Sequence, residues 1–173
     1  DNRLNDVSFF DGVHCYAVGD RGTVLRSFDG GQTWTALFPF STRNFFHVAV
    51  LDSQTAVISS TGGRLYRTTD GGMTFAEVIV SGVTGNLLSL SFISPARVIA
   101  ISSSRQVLVT SNAGVTWDTL PRLNTSIVPR AVDWIDSVTI TCVGDSGTVL
   151  RSSDAGLTWL RQESGTVLRL QNV

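Results

Sequence analysis

A short motif that recurs four times constrains the fold of this 173-residue chain more than any other feature. In each copy an Asp or Asn is followed by two small residues, one variable residue, a threonine and an aromatic residue. The copies follow one another at steps of 41, 42 and 42 residues. Tandem self-similarity with this period is typical of repeat architectures, in which each unit packs only against its neighbours. The motif begins at four positions: Asp29, Asp70, Asn112 and Asp154.

Each repeat unit is predicted to contain four short strands separated by Gly- and Asp-containing turns. Val, Ile, Thr, Ser and Phe are abundant, whereas lysine is absent and glutamate occurs only at Glu77 and Glu163, so helix formers are scarce. The middle strands are almost continuously apolar, which favours sheets covered on both faces by neighbouring units. We therefore predict an all-β fold, a β-propeller of four-stranded antiparallel blades. The predicted blades are 4–38, 45–80, 87–120 and 129–162.

The last ten residues, 164–173, are predicted to begin a further blade. Leu170 and Val173 repeat the spacing of Leu4 and Val7, which open the first predicted strand. We expect a single propeller segment over residues 1–173, with four blades and the start of a fifth. Further blades, from the same chain or another, would then complete a larger ring.

The repeated motif resembles the Asp-box, or BNR, repeat of sialidases, sortilin-type receptors and several glycoside hydrolases. The longer string from Val18 to Trp34 resembles more closely the photosystem II stability and assembly factor family, whose relatives also occur in bacterial exported proteins. This string recurs almost unchanged from Val143 to Trp159, and the resemblance covers all four units. The third unit departs most, with Asn112 in place of Asp and Val109 in place of Arg.

We expect the motif to build the blade rather than to perform chemistry, because an active-site acid has no need of four copies. A carboxylate such as Asp29 can accept N–H groups of its own turn, and an Asn oxygen can replace it. The glycine two residues later supplies a positive φ. The aromatic residue is expected to plug the blade below the turn. The predicted structural Asp-box residues are Asp29, Asp70, Asn112, Asp154, Trp34, Phe75, Trp117 and Trp159.

Arginines also recur at one repeat position, on the third strand of their units. Two interpretations remain open: a row of guanidinium groups for acidic protein partners or lipid head groups, or local pairs with carboxylates or box aromatics that hold blades together. The resemblance implies that an arginine-rich surface contributes to partner binding. The candidate partner-binding residues are Arg26, Arg67, Arg151 and the loop residue Arg21.

Two apolar stretches between the first two blades, 38–40 and 45–46, have two alternative roles. They are either an exposed contact patch or, more typically at a blade junction, part of the core.

An enzymatic function lacks its usual residues in this sequence. A sialidase needs a Tyr/Glu nucleophile pair, yet Tyr16 and Tyr66 lie in strand patterns and neither glutamate lies in a recognisable motif. Asp133, beside Trp134, is the acid least related to the repeat and is therefore the best candidate for a sugar-binding cleft. We predict no catalytic residue and no cofactor.

The two cysteines, Cys15 and Cys142, lie in apolar runs typical of small buried residues. A disulfide or a metal role remains the alternative, although no zinc-ligand spacing is present. We predict no metal site.

Charge and hydropathy argue against a nucleic-acid partner and against a membrane-spanning segment. The net charge is −1, which gives no reason to expect nucleic acid, and no apolar run is long enough to span a membrane. We predict a non-enzymatic scaffold or binding module for protein–protein interaction or the assembly of a larger complex, with a membrane complex among the candidates. The alternative is a fragment of a carbohydrate-active Asp-box propeller with its catalytic residues on missing blades. The resemblance implies an exported protein: periplasmic, extracellular or thylakoid-lumenal.

Overall fold

The structure, a computed structural model, describes residues 2–37 and 41–173. Its strands form four separate four-stranded sheets, and in each sheet every strand is hydrogen-bonded to the next strand in the sequence. All pairs are antiparallel, because each connection is a tight turn that reverses the chain. The predicted all-β propeller blades are therefore confirmed. Residues 38–40 lie outside the described residues. They include the predicted end of the first blade and one of the two apolar stretches.

We number the strands in chain order and call the sheets blades 1 to 4. Blade 1 contains β1 (Leu4–Phe9), β2 (Cys15–Gly19), β3 (Val24–Ser27) and β4 (Thr35–Ala36). Blade 2 contains β5 (Phe45–Val50), β6 (Ala56–Ser60), β7 (Arg64–Thr68) and β8 (Ala76–Ile79). Blade 3 contains β9 (Leu87–Ser94), β10 (Arg97–Ser102), β11 (Val107–Thr110) and β12 (Asp118–Leu120). Blade 4 contains β13 (Pro129–Trp134), β14 (Ile140–Gly144), β15 (Val149–Ser152) and β16 (Leu160–Gln162).

The turns between strands explain why the units repeat so closely. After the innermost strand, Asp11 accepts the N–H groups of Val13 and His14 at 2.8 and 2.7 Å, and Asp52 and Asp136 do the same in blades 2 and 4. These Asx turns need the short side chain of Asp or Asn. The next turn, between the second and third strands, is a single 3₁₀ turn in blades 1, 2 and 4.

Apolar cores lie between successive blades rather than within one. We call the face of a blade that points to the preceding blade its proximal face, and the opposite one its distal face. At the first junction Tyr16 and Val18 of blade 1 pack on Ile58 and Tyr66 of blade 2. Two further clusters join blade 2 to blade 3 and blade 3 to blade 4. The blade therefore gains its stability from its neighbours, and both faces of an internal blade must be apolar.

The innermost strands β1, β5, β9 and β13 lie side by side and line a central cavity, which we call the channel. Among the described residues, the edge of each strand that faces the channel has no strand partner. Side chains of the preceding blade cap this edge instead. Asp6 accepts the N–H of Val48 at 2.9 Å, and Ser8 accepts that of Val50 at 3.4 Å. Ser89 and Ser91 repeat this arrangement for Val132 and Trp134. Each cap satisfies a backbone donor that would otherwise be exposed on a strand edge.

The C-terminal segment follows the path that an innermost strand takes at the other junctions. Leu168 accepts the N–H of Gly147 at 2.7 Å, just as Arg43, before β5, accepts that of Gly22 at 2.7 Å. This course is consistent with the predicted start of a further blade, although no strand is assigned there and the limits of the domain stay a prediction. Among the described residues, no helix has the length and hydropathy needed to cross a lipid bilayer.

Candidate functional site

The Asp box is a closed network of hydrogen bonds inside one turn. Asp29 accepts the Thr33 N–H at 2.9 Å and the Ser27 hydroxyl at 2.7 Å with one oxygen, and the Thr33 hydroxyl at 2.6 Å with the other. Ser27 in turn accepts the N–H of Gly31, whose φ of 86° lies in the left-handed region. A β-carbon there would strain the backbone, which explains the recurring glycine. Both oxygens of the carboxylate are occupied within the turn.

The same network recurs at the other boxes. Asp70 and Asp154 accept the corresponding Thr N–H and hydroxyl groups. At the third box the Asn112 oxygen accepts the Thr116 N–H at 2.9 Å, while its Nδ2 donates to the Thr116 hydroxyl at 2.8 Å. The amide oxygen therefore replaces the carboxylate as acceptor, as the sequence suggested, and the structure adds that the bond to the threonine hydroxyl is reversed.

These bonds stabilise the ionised form of the box carboxylates. The Thr33 hydroxyl and N–H lower the pKa of Asp29 from 3.8 to about 2, and Thr74 lowers that of Asp70 to about 2 in the same way. The pKa of Asp154 is also lowered, chiefly by the Thr158 hydroxyl. A general acid needs a raised pKa near neutral pH, so the electrostatics of these groups suit structure rather than acid catalysis.

The box aromatic packs on the preceding blade, so its burial depends on whether such a blade is present. Trp117 lies in the core between blades 2 and 3 and is 9% exposed, and Phe75 and Trp159 pack against the other two cores. Trp34 is 38% exposed. The expected plugging of the blade therefore holds at three boxes but not at Trp34, because no described blade precedes blade 1.

Two of the recurring arginines join consecutive blades. Arg26 donates to the backbone carbonyl of Gly71, and Arg67 donates to that of Ala113 at 2.7 Å, so each reaches the Asp-box turn of the next blade. The acceptors are carbonyls rather than the carboxylates expected from the sequence, and Arg26 stacks on Phe28 rather than on a box aromatic. At the third junction Val109 packs with Ala155 against the apolar core instead. Arg26 and Arg67 are half-buried and contact the next blade, which is the local interpretation offered by the sequence. Partner binding by these two arginines stays a prediction.

Arg21 and Arg151, the other two candidates, are both exposed and lie at opposite ends of the propeller. Arg151 lies next to the Asp-box turn of blade 4, and Arg21 lies in the 3₁₀ turn at the other end, with a φ of 56°. The structure therefore does not bring the four candidate arginines together into one surface.

Charge is segregated between the two ends. We call the end formed by the 3₁₀ turns and the blade-to-blade connections the arginine-rich end. The opposite end carries the aspartates of the Asp boxes and Asx turns. Sequence reasoning missed this segregation because it followed one repeat position, whereas these arginines occupy several. The arginine-rich end carries Arg3, Arg21, Arg43, Arg64, Arg105, Arg122, Arg130, Arg161 and Arg169, against Asp20, Asp145, Glu77 and Glu163.

Part of the arginine-rich end is a linked cluster beside the channel. Arg130 forms a bidentate pair with Asp145, at 2.9 and 2.7 Å, and Arg169 reaches the same carboxylate at 2.9 Å. The Arg130 hydrogen bonds lower the pKa of Asp145, so this carboxylate stays ionised. Two guanidinium groups share one carboxylate, which leaves an excess of positive charge at the channel mouth.

The central channel has a volume of about 880 Å³ and is lined by side chains from all four innermost strands. Asp133, the candidate for a sugar-binding cleft, lines it, where it accepts the Ser91 hydroxyl and the Trp134 N–H. Asp133 is repeat-equivalent to Ser8 and Ser91, which cap strand edges, so its position is periodic after all. A role of Asp133 in binding sugar stays a prediction.

The cysteines and the possible metal ligands form no further candidate site among the described residues. Cys15 and Cys142 are buried free thiols, and burial raises the pKa of Cys142 to about 12. Within residues 2–37 and 41–173, no group of three or more His, Cys, Asp or Glu side chains is arranged to hold a metal ion. Phe45 is fully buried, as expected for a residue of the core at a blade junction.

Comparison with known proteins assigns the family. Over residues 1–119 the sequence matches the family described as Photosynthesis system II assembly factor YCF48. The chain belongs to this family. A curated relative, Photosystem II assembly lipoprotein Ycf48 from Synechococcus sp. (strain CC9902), is 28% identical over 110 residues, which is 62% of this chain. The chain spans about a third of that relative's length, 32%.

Solved structures of the family share the fold. One, of YCF48 bound to D1 peptide, has a TM-score of 0.61 and 16% identity, covering 93% of this chain and 82% of that chain. Another, YCF48 from Cyanidioschyzon merolae, has a TM-score of 0.58 and 17% identity, with 96% and 87% covered. An ancestral GH74 enzyme has a TM-score of 0.72 and 22% identity over 92% of this chain and 24% of that chain. At these identities the likeness concerns the fold alone, so the GH74 enzyme gives no support to a carbohydrate activity.

Proposed function

We propose that this chain is a non-enzymatic propeller module that binds a protein partner through its arginine-rich end during the assembly of a larger complex. The observation that carries this proposal is the segregation of arginines at one end of the blades. Arginines that converge on one surface attract acidic segments, speed their association and bind carboxylates bidentately. Membership of the YCF48 family supports an assembly role, and the YCF48 structure solved with a D1 peptide supports a protein as partner.

The electrostatics of the Asp boxes support the absence of catalysis in this proposal. The box carboxylates are saturated by bonds within their own turns, and their lowered pKa values keep them from acting as acids at neutral pH. We also propose that the protein is exported, to a periplasmic, extracellular or lumenal compartment. The word lipoprotein in the name of the Synechococcus relative supports this location.

The test compares two exposed arginines at opposite ends of the propeller. Binding of a D1 peptide is measured by fluorescence anisotropy for the unmodified chain, Arg21→Glu and the matched control Arg151→Glu. We expect Arg21→Glu to weaken binding about three- to tenfold, because the change removes an exposed attraction of about 0.2–1 kcal/mol and adds a repulsion of acidic groups. The control should leave binding unchanged, since Arg151 lies at the opposite end, beside the Asp-box and Asx-turn aspartates.

Peptide binding at increasing salt concentration is a second measurement in the same test. Added salt should weaken peptide binding to the unmodified chain, because exposed charges are screened beyond about 10 Å at 0.1 M ionic strength. Equal loss in both variants, or binding that ignores salt, would contradict the assignment to the arginine-rich end. Circular dichroism of each variant excludes loss of folding as the cause.

A further inference from the structure

Exposed apolar side chains recur at the tips of three consecutive Asp-box turns. Met73, Val115 and Leu157 occupy the same repeat position, between the positive-φ glycine and the threonine of their boxes. They are 77%, 56% and 55% exposed. One exposed apolar residue is ordinary on a protein surface, but the same exposure in three neighbouring blades is a patterned feature that needs a reason. We call these three residues the apolar tip row.

The Asp-box turn does not itself require an apolar residue at its tip. The first box has the polar residue Gln32 at this position, yet its hydrogen bonds from Thr33 to Asp29 are the same as in the other boxes. None of the three residues of the apolar tip row belongs to an apolar core of the described residues. Local structure and packing therefore leave the apolar character of the row without an internal purpose, and contact with another molecule supplies one.

The exposure of the apolar tip row is a property of the turns rather than of a missing neighbour. Val115 belongs to blade 3, which has a described blade on each side, whereas Leu157 belongs to blade 4, which has one on a single side. The two side chains are nevertheless exposed to almost the same extent, 56% and 55%. The tips therefore project beyond the faces of the blades, and what lies next to blade 1 or blade 4 does not determine their exposure.

Neighbouring Asp-box turns adjoin, so the three tips form one surface. Arg67, three residues before Asp70, donates to the Ala113 carbonyl in the next box. At the following junction Val109 packs with Ala155, again in the next box. Because packed sheets lie about 10 Å apart, successive tips are near enough for one short segment to contact more than one of them.

The turns at the two ends of the propeller differ in polarity. At the Asp-box end of blade 3, Phe92 and Ile93 are each 38% exposed at the end of β9, and Phe92 lines the channel, so apolar surface extends inwards from the apolar tip row. At the arginine-rich end the 3₁₀ turns 20–22, 61–63 and 145–147 contain only polar residues and glycine. The apolar turns therefore characterise one end of the molecule.

Charge around the apolar tip row selects the kind of partner. The box and Asx-turn carboxylates are ionised at neutral pH, because hydrogen bonds within their own turns lower their pKa. Asp118, three residues after Val115, is exposed and has no hydrogen bond or ion pair among the described residues. At this end, blades 2 to 4 carry Asp52, Asp70, Asp118, Asp136 and Asp154, against Arg67, Arg97 and Arg151. An apolar surface in a negative field attracts basic apolar segments and repels acidic lipid head groups.

We propose that the apolar tip row and the aspartates around it bind a basic, amphipathic segment of a protein. The three apolar side chains contact the apolar face of this segment, and the flexible side chain of Met73 adapts to its shape. Asp118 pairs with a basic residue of the segment. The turn carboxylates attract it through their field, since their oxygens are already bonded. This surface lies opposite the arginine-rich end, so the chain can hold an acidic and a basic segment at the same time.

Fluorescence anisotropy with a pair of synthetic peptides tests the proposal. One labelled peptide of about 18 residues contains leucine and lysine, spaced so that the leucines form one face of a helix, and its counterpart has glutamate in place of lysine. We expect the lysine peptide to bind the unmodified chain and the glutamate peptide not to bind. The triple variant Met73→Gln, Val115→Gln and Leu157→Gln, which copies the first box, should weaken binding at least tenfold. Asp118→Asn should weaken it about two- to fivefold.

The control is Ile79→Gln, the same kind of change at a residue that is 67% exposed at the end of β8, on the arginine-rich end. It should leave binding of the lysine peptide unchanged, and circular dichroism verifies that each variant is folded. Binding of a D1 peptide to the arginine-rich end should be the same in the triple variant as in the unmodified chain. Failure of this proposal is therefore distinguishable from failure of the proposed function.

Three results overturn the proposal. The first is a lysine peptide that does not bind, or that binds the triple variant as tightly as the unmodified chain. The second is a glutamate peptide that binds as tightly as the lysine peptide, because charge then has no part in recognition. The third comes from flotation with vesicles of phosphatidylcholine and phosphatidylglycerol. If the unmodified chain floats with them and the triple variant does not, the apolar tip row binds a bilayer instead of a protein segment.

Discussion

Blade 1 and blade 3 both carry a box turn that leads into a tryptophan, with Asp29 in one and Asn112 in the other, yet the two tryptophans have different surroundings. Trp117 is 9% exposed in the core between blades 2 and 3, whereas Trp34 is 38% exposed on the proximal face of blade 1. The backbone of the turn is alike in both blades, with a glycine of positive φ two residues after the Asp or Asn. The comparison teaches that the box builds its own turn locally, while burial of the aromatic depends on a neighbouring blade. Substitutions at repeat-equivalent positions separate these two contributions.

The largest difference is expected between Phe45 and Leu4, which open the innermost strands of blades 2 and 1. Phe45→Ala should lower the free energy of unfolding by about 3–5 kcal/mol, because it leaves a cavity in a closed core. Leu4→Ala should cost less than about 1 kcal/mol, since half of this side chain is already in water. Urea denaturation followed by circular dichroism measures both. Equal costs would mean that Leu4 is covered in solution.

The arginines give the second contrast. Arg67→Ala should cost about 1–2 kcal/mol, because it removes a charge-assisted bond and leaves the Ala113 carbonyl without its donor. Arg151→Ala, the same change on the distal face of blade 4, should cost less than about 0.5 kcal/mol, because this arginine is exposed. Thermal denaturation compares the two. A large effect of Arg151→Ala there would contradict the assignment of the arginine to blade junctions.

Acid should weaken the boxes that have a carboxylate and spare the one that has an amide. The pKa of Asp29 and of Asp70 is about 2 in the folded chain, below the ordinary 3.8, so the unfolded chain binds protons first as the pH falls. Their stabilising contribution is therefore complete above pH 4 and is lost as the pH drops towards 2. Asp70→Asn, which copies the residue found at Asn112, should reduce the slope of stability against pH in this window. An unchanged slope in denaturation curves from pH 2 to 5 would show that Asp70 does not contribute.

The smallest effect is expected from Asn112→Asp, which gives the third box the residue of the others. The new carboxylate accepts the Thr116 hydroxyl instead of donating to it, and a charge-assisted bond replaces a neutral one. Because this turn is exposed, we expect the Tm to rise by no more than about 2 °C at pH 7. Differential scanning calorimetry measures this shift. A fall in Tm would show that the amide is specifically required at this turn.

Much of the fold was predictable because the repeat encodes local turns. The glycine of each box, the turn after the first strand and the apolar middle strands require only neighbouring residues, and all were found where the sequence placed them. The outermost strands are short, and β4 contains only Thr35 and Ala36. An outer strand has one neighbour and little cover, so its sequence preference is not reinforced by packing.

The candidate site was predicted less well, since it depends on which residues meet across blades. From the sequence, Arg26 and Arg67 could face a partner or, as favoured, a neighbouring blade, and only the structure places them against carbonyls of the next box. Asp133 looked unrelated to the repeat because its equivalents are the serines Ser8 and Ser91. Their shared function, the capping of a strand edge, is visible only in the tertiary structure.

The sequence by itself determined the class of the fold, the number of blades in this segment and the position of each Asp-box turn. It could do so because turn geometry and strand patterning act over a few residues, and the repeat states them four times. Only the tertiary structure decided which faces are covered and where the arginines collect. Those properties arise from side chains about 40 residues apart, and their charge and burial depend on the packing of one blade against the next.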